Sequence, residues 1–205
     1  MIRVGCILTF DGSWMGGENY FRNLFTAVHA LPDRRIETVI LTGRRAPMPR
    51  FAEMLNLEAV RSPLFDRGTF PWLTRVACRR ALGRDVVLEH WLVRHRIAVL
   101  SHSGGLGQKA SVPTLGWIQD FQHRRMPEFF SARQRTQREK EFARLLNDSR
   151  LVLVSSLDAQ SDLTAFYPAH AARSRVLPFV ADIDPRTACP DPETLMKKYA
   201  IEAGY

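Results

Sequence analysis

Short apolar runs alternate with stretches of helical periodicity along this chain, and that alternation limits its fold more than any other feature. Ile2 to Thr9 is an apolar run of strand length and reads as a buried parallel strand. Glu18 to Ala30 follows, with Tyr20, Phe21, Leu24, Phe25, Val28 and Leu31 at helical spacing and Pro32 closing it. Further strands are expected at Glu37 to Thr42, Glu58 to Arg61, Ile97 to Ser101, Thr114 to Ile118, Leu151 to Ser155 and Arg175 to Leu177. Helices are expected at Phe51 to Leu55, at Phe70 to Arg96 with a break at Gly83, and at Ser131 to Asp148. A last one should run from a cap at Ser155 and Asp158 to about Phe166. Strands that alternate with helices build parallel βαβ units. The expected fold is α/β: a doubly wound, mainly parallel Rossmann-like sheet with helices on both faces.

The composition shifts after Pro178. Residues 1–180 read as one Rossmann-like domain, and 181–205 as a polar, proline-rich linker with a short helix from Glu193 to Tyr199. A linker and one helix that lead to nothing suggest a fragment, with a C-terminal domain absent.

The 205 residues, 45% apolar and 24% charged, suffice for one large core. No apolar stretch is long enough to span a membrane, and the N-terminal run is too short before Asp11 for a secretory signal. Cys6, Cys78 and Cys189 are far apart, odd in number and not spaced for zinc, which fits a reducing cytoplasm. The net charge of +8 has three readings. They are a solvated basic surface, contact with an anionic membrane or substrate, and nucleic-acid binding. No interleaved aromatic-basic motif, helix-turn-helix or zinc knuckle supports the last.

Gly16 and Gly17 precede the first helix, where free N–H groups favour an anion, although a tight strand-to-helix turn needs glycines as well. The dinucleotide fingerprint is missing. His102-Ser-Gly-Gly-Leu-Gly reads as a flexible loop bordering a cleft, because the phosphate-loop spacing fails. Asp120 and His123 follow the strand Thr114 to Ile118, at the end of a doubly wound sheet that carries ligands. The histidine could be a general base or orient a hydroxyl. Alternatively, Asp120 caps a turn and His123 packs. His90, His95 and His170 read as surface residues without metal-ligand spacing. Arg133, Arg135, Arg138, Lys140 and Arg144 decorate one helix, as a solvated face or as a membrane or acceptor surface.

Several segments, in order, resemble the N-terminal half of retaining family 4 glycosyltransferases of the GT-B fold. They are Trp14-Met-Gly-Gly-Glu-Asn-Tyr-Phe-Arg-Asn-Leu, Trp117-Ile-Gln-Asp-Phe-Gln-His with Met126-Pro-Glu-Phe-Phe-Ser, Val154-Ser-Ser-Leu-Asp-Ala-Gln, Phe166-Tyr-Pro and Arg175-Val-Leu-Pro-Phe-Val-Ala. The resemblance implies an acceptor-side domain facing a donor domain. It implies that a nucleotide sugar and a glycan or lipid-linked acceptor are the substrates, with no cofactor or metal. Gly16 and Gly17 would lie near the donor phosphates, and His123, with Asp120 as a less certain neighbour, near the reacting sugar in the cleft. The protein would be cytoplasmic, with the inner face of the membrane as an alternative, and the isolated chain inactive. A sugar epimerase of the same fold and a non-catalytic α/β binding domain are the competing expectations.

Overall fold

The computed structural model describes residues 1–8, 15–33, 35–107, 109–180 and 191–201, the side chains of Met15 and Pro192 excepted. Expectations for Asp11 and Trp14, for the linker from Asp182 to Pro190 and for Cys189 lie outside the described residues.

Seven strands form one sheet: β1 (Ile2–Ile7), β2 (Ile36–Thr42), β3 (Glu58–Arg61), β4 (Val99–Ser101), β5 (Thr114–Ile118), β6 (Leu151–Val154) and β7 (Ser174–Val176). Their order is β3-β2-β1-β4-β5-β6-β7, and every neighbouring pair is parallel. The helices are α1 (Met15–His29), α2 (Arg50–Met54), α3 (Phe70–Leu82), α4 (Val86–Arg94), α5 (Gln122–Arg125), α6 (Ala132–Asp148), α7 (Leu157–Phe166) and α8 (Pro192–Tyr199). The architecture is Rossmann-like, as the alternation of strands and helices implies.

Burial follows the pleat. In β2, Val39 and Leu41 point into a core shared with Leu88, Leu92 and Ile97, while Ile40 points the other way to Phe21, Phe25 and Phe51. Being covered on both faces is what gives a parallel strand its unbroken apolar run. A third cluster joins β5 and β6 to α6 and α7 through Ile118, Val152, Val154, Leu146 and Leu163.

The expected break at Gly83 is a cap-to-cap junction. Gly83 ends α3 in the left-handed conformation, φ 64°. Asp85 then caps α4 by accepting from the Leu88 N–H at 3.0 Å. Ser131 opens α6 with a capping box that includes Gln134. The start of α7 corrects the expected cap. Ser156, not Ser155, accepts from the Ala159 N–H, and the Ser155 hydroxyl is buried with no hydrogen-bond partner among the described residues.

The glycine-rich loop after β4 is a second correction. It is packed rather than loose: Leu106 is buried in the core, and a β-carbon on Gly105 would meet Cβ of Asp148 at 2.2 Å. Gly107, at φ 111°, lies against the Gly83 carbonyl. No helix among the described residues is long and apolar enough to cross a membrane.

Candidate functional site

An all-parallel sheet puts the carboxyl ends of its strands along one edge. From β1 the chain winds out to β2 and β3; from β4 it winds the opposite way to β5, β6 and β7. The β1/β4 junction is therefore the topological switch point, where doubly wound sheets open a crevice for ligands.

Gly16 and Gly17 lie beside this junction. They fall within the first turn of α1 rather than in the turn before it; Gly16 is exposed and Gly17 buried. Their amides belong to the helix end where N–H groups lack intrahelical acceptors. Across the junction stands His102, the first residue after β4, in the left-handed conformation at φ 54°. Such a conformation is rare for a residue with a β-carbon and gathers at functional sites.

His102 is held at both ring nitrogens. Nδ1 pairs with the Ser101 hydroxyl at 2.8 Å, and Nε2 with the Tyr20 hydroxyl at 2.8 Å. Whichever nitrogen carries the proton donates it, and the other accepts from its facing hydroxyl. Burial pushes the His102 pKa down to about 4, so the ring is neutral near pH 7. Burial also raises the Tyr20 hydroxyl above its usual range. Tyr20 stacks on Trp117 of β5 and meets the exposed ring of Phe179 edge-on at 5.3 Å. The segment after β7 returns to α1, where the Val180 carbonyl accepts from Asn23 Nδ2 at 2.8 Å. The result is an aromatic floor with a neutral histidine set into it.

Asp120 and His123 lie one strand further, after β5. The Asp120 carboxylate accepts from the Gln122 N–H at 3.1 Å and lies 3.7 Å from Arg138. His123 is 2% exposed. Its ring stands edge-on to Phe142, Nε2 pairs with Glu139 at 2.9 Å, and Nδ1 is buried with no hydrogen-bond partner among the described residues. The ring packs against α6. The loop that carries it is the short helix α5, which the sequence reading did not anticipate.

Glu139 anchors this second cluster. It binds Arg124, His123 and the Tyr167 hydroxyl. Hydrogen bonding from Arg124 first, then from Tyr167 and His123, holds its carboxyl down at about 2 against the cost of burial. Arg124 also lies over the rings of Phe166 and Tyr167. A cavity of about 550 Å³ borders His123, Arg124 and Glu139. No hydrogen bond or ion pair among the described residues joins Asp120 or His123 to Gly16 or Gly17.

The described residues contain no His, Cys, Asp and Glu group able to hold a metal, and Cys6 and Cys78 are free thiols. Burial pushes the Cys6 thiol up to about 12, which makes it inert.

No family model matches the chain, and no curated protein matches it. Solved structures do. Anabaena Alr3699/HepE, crystallised with UDP and glucose, superposes with a TM-score of 0.56 at 16% identity over 97% of this chain. Staphylococcus aureus MnaA, in a co-structure with UDP, superposes at 0.53 with 10% identity over 98%. The chain spans half the length of each. At these identities the likeness is one of fold.

Proposed function

We propose that this chain is the acceptor-side domain of a GT-B nucleotide-sugar enzyme, a glycosyltransferase that passes a sugar with retention from a nucleotide donor to a glycan or lipid-linked acceptor. The observation that carries this reading is the β1/β4 switch point, where α1, with Gly16 and Gly17 in its first turn, meets His102 through the Tyr20 hydroxyl. The fold likeness to two structures holding UDP supports it.

In this reading the amides of Gly16 and Gly17 approach the donor phosphates, where a side chain would obstruct. Charge building on a departing diphosphate gains from such preorganised donors. Phe179 and the Tyr20–Trp117 stack offer a sugar ring an apolar face, and His102 fixes the Tyr20 hydroxyl at its edge. Asp120 and His123 shape the neighbouring rim: one caps the α5 turn and the other ties it to Glu139. The opposing half of the enzyme supplies the rest of the donor site, so this chain binds without turning over.

The test is an NMR titration of the isotopically labelled chain with UDP, UDP-sugars and free sugars. Saturable shifts of the Gly16 and Gly17 amides and of the His102 ring are expected. They should vanish in Gly16→Val, a substitution at an exposed position, while the rest of the amide spectrum keeps its folded dispersion. Silence at all three residues with ligand on the order of 10 mM, far above the Kd of even a weak complex, would reject the site.

A further inference from the structure

Away from this edge, a cavity of about 670 Å³ lies between α3 and the last turns of α6. Five arginines face it: Arg67 from the loop before α3, Arg75, Arg79 and Arg80 from α3, and Arg144 from α6. Arg75 and Arg79 lie one turn apart on the same helix face. Two carboxylates stand among them, Asp85 and Asp148, and both are already engaged. Arg75 grips Asp85 at 2.9 Å, and Arg79 grips Asp148 at 2.9 Å. Arg75 also donates to the Leu64 carbonyl, which locks the wall of the cavity in place.

Arg67, Arg80 and Arg144 make no ion pair among the described residues. The cavity therefore carries an excess of three positive charges, held on a scaffold that the two ion pairs fix. Like charges gathered so closely repel, and a bound polyanion relieves them. Guanidinium groups match the oxygens of phosphate in pairs. Trp72 and Val76, again one turn apart, give the same cavity an apolar strip. The volume leaves room for an organic portion beside the anion.

We infer that this cavity binds a ligand bearing phosphate with at least two negative charges, a diphosphate ester in preference to a single orthophosphate. The ligand is either a soluble diphosphate or the headgroup of an anionic lipid. The site is separate from the β1/β4 crevice and does not depend on the reading of that crevice.

The test uses three proteins: the native chain, the cavity variant Arg67→Gln/Arg80→Gln/Arg144→Gln, and a control variant Arg45→Gln/Arg94→Gln/Arg133→Gln with the same change in net charge. None of the three cavity arginines is part of an ion pair, so the fold should survive; Arg144→Gln alone serves if the triple variant melts early. Calorimetry with pyrophosphate and orthophosphate, and flotation with vesicles of phosphatidylcholine alone or with cardiolipin, whose headgroup carries two phosphates, read the binding. The native chain should bind pyrophosphate more tightly than orthophosphate, or float with the cardiolipin vesicles alone. The first result identifies a soluble ligand and the second a headgroup. The cavity variant should lose at least tenfold, and the control should lose little. Absence of binding to both probes, or equal losses in the two triple variants, would overturn the inference.

Discussion

Tyr20 of α1 lies flat against Trp117 of β5, with ring centroids 4.3 Å apart and planes 10° from parallel. The stack joins the helix after β1 to a strand of the other winding, and the Tyr20 hydroxyl reaches His102 Nε2. Aromatic area supplies the attachment, and the hydroxyl supplies direction. The first helix is thereby tied to the half of the sheet that the chain reaches much later.

His102 makes the protein's stability depend on pH in a definite window. Its folded pKa of about 4 lies below the ordinary value near 6.5, so the unfolded chain binds the proton more readily between these limits. The contribution is complete above about pH 6.5 and is lost as pH falls toward 4, on the order of 3 kcal/mol at most. Urea unfolding between pH 7.5 and 4.5 should show the decline, and His102→Asn, which tolerates the left-handed backbone, should flatten it. An unchanged slope in the variant would refute this. Glu139 acts lower, where its depressed pKa adds stability that is lost only as the pH drops below the usual carboxylate range toward 2.

Asp85 should be among the most sensitive positions in the domain. It is buried, binds Arg75 and caps α4. Asp85→Ala leaves the Arg75 guanidinium without its charge partner and should cost about 3–5 kcal/mol. Asp85→Asn keeps an acceptor for Leu88 and should cost less. Chemical denaturation ranks the two, and a reversed order would disprove the role given to the ion pair.

Gly104 and Gly105 make a matched pair. A β-carbon at Gly105 collides with Asp148, whereas one at Gly104 meets nothing within 4 Å. Gly105→Ala should lower Tm, whereas Gly104→Ala should leave it unchanged or raise it through a stiffer unfolded chain, by roughly 0.4–1 kcal/mol. Equal melting temperatures would mean that the loop after β4 is loose after all.

His123→Ala should act on stability first. The ring packs on Phe142 and binds Glu139, so its loss should cost about 1–3 kcal/mol. Ligand-induced shifts at Gly16 and Gly17 should persist in the folded variant. If stability holds while those shifts disappear, the ring contacts ligand and the packing role is wrong.

The sheet was readable because covered strands leave apolar runs that need no knowledge of partners; the exposed edge strand β3 also falls at Glu58–Arg61 as expected, though its sequence is not such a run. Local ambiguity moved β7 by one residue and the α7 cap from Ser155 to Ser156, since adjacent serines offer the same chemistry. The state of the loop after β4 depends on Asp148, far along the chain, and glycine content alone misled. His102 was overlooked for the same reason. Its partners Tyr20 and Trp117 arrive through topology, and the one local hint was a polar residue directly after a buried strand. His123 stood in a loop by pattern, but what covers it is Glu139 and Phe142 of the next helix.

The strand order also has a kinetic consequence. Val4 pairs with Val99, the longest sequence separation of any pairing in the sheet, whereas every other strand pairs with a neighbour in sequence. Closing that loop costs the most chain entropy for a very short ladder. The two windings can each form on their own, and the central seam joins last. Pulse-labelled hydrogen exchange should find the Ala98 amide, which donates to the Arg3 carbonyl across the seam, protected after those of β2 and β6 and after Leu100, which donates within its own winding to the Pro113 carbonyl. The crevice is then not a feature of either winding but the seam between two folding units, assembled at the moment folding completes.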